Sequence, residues 1–166
     1  MTLPLPSPPP GWTSWEQAMR LALEQAERAG RHDDVPVGAV IIGAGGELLA
    51  EAGNETIRRN DPTAHAEIVA LRRAATALSN YRLTDTVMCV TLEPCLMCVG
   101  ALVHARVKTL IYGATDPKTG AARSKLDGFD LPFLNHRVEV IPGLLEEECS
   151  QLIKDFFRQR RAKKNA

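Results

Sequence analysis

Two short segments carry most of the side chains that could do chemistry. His65-Ala66-Glu67 places an imidazole two residues before a carboxylate, and Pro94-Cys95-Leu96-Met97-Cys98 places two thiols three residues apart. Residues at i and i+3 share one face of a helix, so Cys95 and Cys98 can converge on a metal ion, and the free N–H groups of a helix start favour their thiolate forms. A neutral His65 suits the third ligand position. Three protein ligands leave the fourth tetrahedral position to water, the arrangement that separates a catalytic zinc from a closed structural one. Zinc lowers the pKa of such a water from about 15.7 to about 7. Glu67 need not bind the metal and is placed to carry a proton away from that water.

Each piece alone has an ordinary reading. A Cys-x-x-Cys can be a redox pair, or half of a structural zinc site completed by Cys89, His104 or His136. His-x-Glu alone is close to background. Their pairing at two helix starts, each after a strand and loop, favours the catalytic metal. Cys89 in an apolar strand and Cys149 in the last helix read as buried, inert thiols.

The elements that must position these residues follow from periodicity. Thr13 and Glu16 have capping-box spacing ahead of an amphipathic run through Met19, Leu23 and Ala26 that ends near Gly30. Val35 to Ile42, a turn over Gly43 to Gly46, and Glu47 to Ala52 read as a hairpin followed by Asn54. After a loop from Thr56 to Pro62, the run from Ala64 to Leu78 repeats its apolar residues at helical spacing. Thr86 to Thr91 is a strand, and Pro94 opens a third helix over Cys95 to Ala105. Thr109 to Tyr112 is a strand, Asp116 to Asp130 a polar loop, Arg137 to Ile141 a last strand, and Glu146 to Arg161 a closing helix. Strands alternating with helices predict an α/β fold: a three-layer α/β/α sandwich around a mixed sheet of about five strands.

With 166 residues, 45% of them hydrophobic, the chain suits one domain. Residues 1–12 read as a disordered proline-rich arm, 13–161 as the domain and 162–166 as a basic tail. The first residues lack a basic start and apolar run, and no stretch approaches a membrane span, so the expectation is a soluble cytoplasmic protein with free or metal-bound cysteines. Twenty basic residues balance twenty acidic ones, but six of the basic residues fall between Lys154 and Lys164 against Asp155 alone. That local charge of +5 leaves −5 for the remainder. Such a run is either a solvated helix end or a phosphate-binding patch.

His-x-Glu with Pro-Cys-x-x-Cys is the signature of zinc nucleobase deaminases. Val35-Pro36-Val37-Gly38-Ala39-Val40, Asn54, Asp61-Pro62-Thr63-Ala64-His65-Ala66-Glu67, Asn80-Tyr81-Arg82-Leu83, Thr91-Leu92-Glu93-Pro94-Cys95, Asp116 to Ala121, Asn135-His136-Arg137-Val138 and Asp155-Phe156-Phe157-Arg158 add to it. From Trp15 to Arg161 the sequence resembles the bacterial tRNA-specific adenosine deaminases, within the zinc-dependent cytidine and deoxycytidylate deaminase superfamily. The resemblance implies a cytidine deaminase-like fold and hydrolysis of adenosine to inosine at the wobble position, with zinc-activated water attacking carbon 6 of a flipped adenine. It implies one zinc per subunit on His65, Cys95 and Cys98, and Glu67 as proton shuttle. Asn54 is implied to contact the base, Asp116 to lie in a loop touching the substrate, and Phe156, Phe157 and Arg158 to receive flanking anticodon nucleotides. The implied partners are a second copy of the chain and a tRNA anticodon stem-loop, with an arginine tRNA expected.

Core packing is the ordinary reading for Phe156 and Phe157, with one of the pair expected to serve it, and a polar strand end is that for Asn54. One departure from the family pattern is Arg123, which stands where glycine precedes Ser124; if that position needs positive φ, the loop must be remodelled. Two other functions use the same residues. A deaminase of guanine, cytosine or deoxycytidylate would share the zinc and glutamate, although small cytidine deaminases usually have cysteine at the position of His65. A zinc-stabilised RNA-binding module without catalysis would need a fourth protein ligand and would not need Glu67.

Overall fold

The computed structural model describes residues 3–166. Its apolar, β-branched runs form a sheet of five strands: β1 (Gly38–Ile42), β2 (Leu48–Gly53), β3 (Val87–Leu92), β4 (Thr109–Ala114) and β5 (Glu139–Pro142). The order is β2-β1-β3-β4-β5. β1 runs antiparallel to both neighbours, with Ala39 opposite Ala52 and Val90, whereas β3, β4 and β5 are parallel. The sheet is therefore mixed, as expected. β1 and β4 are buried along their whole length, which a sheet covered on both faces requires.

Four helices flank it, α1 (Trp15–Arg31), α3 (Ala66–Leu78), α4 (Leu96–Ala105) and α5 (Glu146–Lys164), and a single turn, α2 (Thr56–Arg59), lies at the surface between β2 and α3. Side chains alternate across a strand, so β1 feeds two cores. Val40 and Ile42 join Trp15, Met19, Ile111 and Cys149 under α1 and α5. Ala39 and Ile41 join Val69, Met88, Val90 and Leu102 under α3 and α4. None of the helices is long and apolar enough to cross a membrane, among the described residues.

Several boundaries differ from the sequence-based expectation. The cap of α1 is Ser14, not Thr13, because Ser14 has the extended backbone and its hydroxyl accepts from the Gln17 N–H at 3.4 Å. The segment read as loop from Thr56 contains α2, a single turn held from a distance by buried Asp34, which accepts from the Ile57 N–H at 2.7 Å and the Thr56 hydroxyl at 3.2 Å. The closing helix runs on to Lys164, and the last strand begins at Glu139. A 3₁₀ turn, Gly128–Asp130, interrupts the long loop before it.

The proline-rich arm, expected to be disordered, makes tertiary contacts over its described part. The Trp12 indole donates to the Gly46 carbonyl at 2.7 Å, and the Trp15 indole donates to the Pro6 carbonyl at 2.7 Å. Gly46, at φ +89°, lies so close to the arm that a Cβ there would sit 1.9 Å from the Pro10 oxygen. Residues 1 and 2 of the expected arm lie outside the described residues. Trp15 joins α1, the arm and one core, so Trp15→Ala is expected to destabilise the fold by about 3–5 kcal/mol, read as a lower urea midpoint.

Candidate active site

Two helices begin at the end of the sheet where β3 stops. Cys95 is the N-cap of α4 and His65 the N-cap of α3, both with extended backbone, so their side chains leave the helices at the first turn. One ligand atom from each of His65, Cys95 and Cys98 lies within 4.8 Å of the others. His65 Nδ1 is 3.5 Å from the Cys95 sulfur and 3.6 Å from that of Cys98. Zn–S bonds of about 2.3 Å and Zn–N bonds of about 2.0–2.1 Å at a tetrahedral angle require about 3.5–3.6 Å between such atoms. The donor set and its spacing therefore fit zinc, to which thiolate and imidazole are well suited.

Among the described residues no further His, Cys, Asp or Glu joins this group. Cys89 and Cys149 lie in the core under α1 and α5, where burial pushes the Cys149 thiol up to about 12 and that of Cys89 higher. His136 is hydrogen-bonded to the Val107 carbonyl at 2.7 Å. These residues are not the fourth ligands of a closed site.

The cluster polarises itself. Hydrogen bonding from Cys98, together with that from His65, holds the Cys95 thiol down at about 4. Cys98 is pushed up by sharing a proton with Cys95 and by burial. Hydrogen bonding to Cys95 raises His65 above its ordinary value. Glu67, in the first turn of α3, is 3% exposed, and burial raises its proton affinity. Its Oε2 has no hydrogen-bond partner in the protein, so one carboxyl oxygen is left open to something the protein does not supply.

Asn54 is 8% exposed, and its side-chain oxygen accepts from the Ala66 N–H at 2.8 Å. It thus supplies the cap that His65 does not give α3, and its unused side-chain groups are the two N–H donors. Asp116 turns its own loop: it accepts from the N–H groups of Lys118 and Thr119 and from the Thr119 hydroxyl. Phe156, Phe157 and Arg158 are not brought to the cluster. They lie on α5, where the two rings meet edge to face at 5.4 Å, Arg160 covers Phe156 and Arg158 pairs with Asp155. Neither ring is core; Phe156 is half-buried and Phe157 39% exposed. Arg123 has no positive φ, so the loop accepts it without strain, and its guanidinium donates to the Val140 carbonyl at 3.1 Å.

Two buried carboxylates bordering the site had no role assigned from the sequence. Glu55, beside Asn54, gathers Arg58, Arg59 and Arg73. Glu93 accepts four hydrogen bonds from the loop holding Asp116. A carboxylate between an apolar strand and Pro-Cys was the available signal for Glu93.

Known proteins are similar to this chain in sequence and fold. The profile of the MafB19-like deaminases matches residues 13–161. The tRNA-specific adenosine deaminase of Haemophilus influenzae is 48% identical over 149 residues, 90% of this chain and 86% of that protein. This chain belongs to the tRNA-specific adenosine deaminase family. The family's protein from Agrobacterium fabrum is 46% identical, over 86% of this chain and 93% of its own length. A solved structure from work on A-to-I editing by tRNA:A34 deaminases at the wobble position has a TM-score of 0.80 and 45% identity, covering 82% of this chain and 98% of that one.

Replacing His65, Cys95 or Cys98 by alanine is expected to abolish stoichiometric zinc by elemental analysis, whereas Glu67→Gln retains it. In the metal-free deaminase the raised pKa of Glu67 means the folded state holds its proton more tightly than the unfolded state. Its contribution to stability is complete below the unfolded pKa of about 4.3 and declines as pH rises toward the folded value. Glu67→Gln should remove that decline, giving a higher Tm than the parent for the metal-free protein at pH 7.

Proposed function

We infer that this chain hydrolyses adenosine to inosine at the first anticodon position of tRNA. The observation that carries the reading is the ligand triangle of His65, Cys95 and Cys98 beside the open carboxyl oxygen of Glu67, in a chain 48% identical to a tRNA-specific adenosine deaminase. In the net reaction water adds at carbon 6, the C6–N bond breaks, a C6=O replaces it and ammonia leaves. His65, Cys95 and Cys98 hold a zinc ion, which when bound supplies the Lewis acidity that makes water nucleophilic at neutral pH.

Glu67 manages the protons. Burial makes it a stronger base than an exposed carboxylate, so it takes the proton lost by water, delivers it to the ring nitrogen beside carbon 6 and passes one to the departing amine. Asn54, its oxygen committed to α3, has only N–H groups to offer, which suit an acceptor nitrogen of the flipped adenine. Phe156, Phe157 and Arg158 form part of the RNA surface, since aromatic rings beside guanidinium groups suit splayed nucleotides and their phosphates. The loop of Asp116 borders the substrate nucleotide, and the anticodon stem-loop of an arginine tRNA is the substrate expected.

Two subunits pair through the groove between α3 and α4. It is lined by Ile68, Leu71, Ala75, Tyr81, Met97 and Ala101, with Tyr81 66% exposed and neighbouring Leu96 61% exposed. A largely apolar face, edged by Thr63, Arg72 and His104 and close to the ligand triangle, is what a homodimer with sites near its interface needs.

An arginine-tRNA anticodon stem-loop with adenosine at its first anticodon position should yield inosine there alone, with guanine, cytidine and free adenosine unchanged. Glu67→Ala should lower the rate by about 10²–10⁴-fold. Deamination of a free base with the RNA untouched would move the chain to nucleotide salvage, and normal turnover by Glu67→Ala would overturn its assigned role. Asn54→Asp keeps the capping oxygen but loses the donors, so editing should fall at least tenfold with the melting temperature little changed. Light scattering should give the mass of a dimer for the parent chain and of a monomer for Ala101→Arg; a monomeric parent would remove the dimer from the reading.

A further inference from the structure

Glu93 sits where β3 ends, two residues before Cys95, and is 2% exposed. Its backbone N–H continues the strand, donating to the Ala114 carbonyl at 2.8 Å. Its carboxylate does something else. Oε1 accepts from the N–H groups of Arg123 and Ser124, both at 2.8 Å. Oε2 accepts from the Asp116 N–H at 2.9 Å and the Ser124 hydroxyl at 2.5 Å. One buried side chain thus binds both ends of the stretch from Asp116 to Ser124. The chain closes tightly around it: a Cβ on Gly120 would meet the Glu93 carboxylate at 2.4 Å, and the Ala121 N–H donates to the Pro94 carbonyl at 2.9 Å. The loop is therefore clamped to the residue preceding Pro94 and Cys95, and its outer face exposes Pro117, Lys118 and Thr119.

We propose that Glu93 is a positioning residue for the RNA substrate: it holds the loop from Asp116 to Ser124 in its binding shape and in fixed register with the ligands of α4. The proposal rests on the reading of the chain as an RNA deaminase. A loop ordered before RNA arrives loses less conformational freedom on binding, so the clamp acts on substrate affinity. It acts on the chemical step only indirectly, since Glu93 touches neither Glu67 nor a metal ligand through its carboxylate. Charge matters as much as shape here. All four bonds need an acceptor, and the amide of glutamine would turn N–H groups toward N–H or O–H donors at one side.

The test is steady-state editing of the anticodon stem-loop by the zinc-loaded protein, with zinc content measured alongside. Glu93→Gln is expected to raise KM for the RNA tenfold or more while kcat falls less than threefold and zinc stays at one per chain. Ser124→Ala, which removes only the hydroxyl bond, should raise KM twofold to fivefold. If Glu93→Gln fails to fold, Ser124→Ala decides alone by the same KM criterion. An Asp116→Ala substitution should add little to KM in the Glu93→Gln background, because both then act on one loosened loop. Unchanged KM in both Glu93→Gln and Ser124→Ala, or a loss of kcat that tracks lost zinc at constant KM, would overturn the clamp. A parent chain that leaves the stem-loop unedited would instead defeat the underlying reading, and the proposal with it.

Discussion

Two residues of the candidate metal site stand where helices need their caps. His65 and Cys95 both hold N-cap positions, and neither makes a side-chain cap bond. The positions bring ligand atoms from two different helices within 4.8 Å and place the Cys95 sulfur beside unpaired N–H groups, but they leave each helix start short of an acceptor. For α3 the missing acceptor comes from Asn54, twelve residues earlier at the end of β2. A cap is typically worth about 1 kcal/mol, and this bond steadies the helix start that carries His65 and Glu67. The end of the hairpin and the start of α3 are coupled through it.

The same site stores unfavourable electrostatics. Glu67 is buried with an oxygen that no protein group satisfies, and burial together with the Cys95 contact disfavours the thiolate of Cys98. Structures tolerate such groups where function requires them and offset them elsewhere. Here the offset is two separate apolar cores, one on each face of a sheet whose strands β1 and β4 are fully buried.

What could be read from the sequence was local. The spacing of Cys95 and Cys98 is fixed by one helical turn, and the positions of His65 and Glu67 by the start of another, so each pair was legible without a fold, while their meeting was implied by the family resemblance. The five strands and the layers followed from periodicity for the same reason. The role of Asn54 as a cap was not, because its partner Ala66 is reached only after the chain has turned through α2. Glu93 was less legible still: its partners lie 23 to 31 residues away, and in the sequence it is one more acidic residue in a motif. α2 was missed because a single turn has no periodicity of its own and depends on Asp34, more than twenty residues earlier. The arm was misjudged by composition: five prolines suggest an unstructured segment, while the bonds that hold it come from two indoles outside the proline run.

Those two indoles are the only tryptophans in the chain. Trp12 bonds to the hairpin turn, and Trp15 sits in the core under α1 with its N–H on the arm, while the metal ligands lie with α3 and α4 across the sheet. Intrinsic fluorescence of this protein is consequently an optical gauge of one corner, the junction of arm, hairpin and first helix. Emission from that corner reports the packing of the arm on a channel separate from events at the His65, Cys95 and Cys98 cluster.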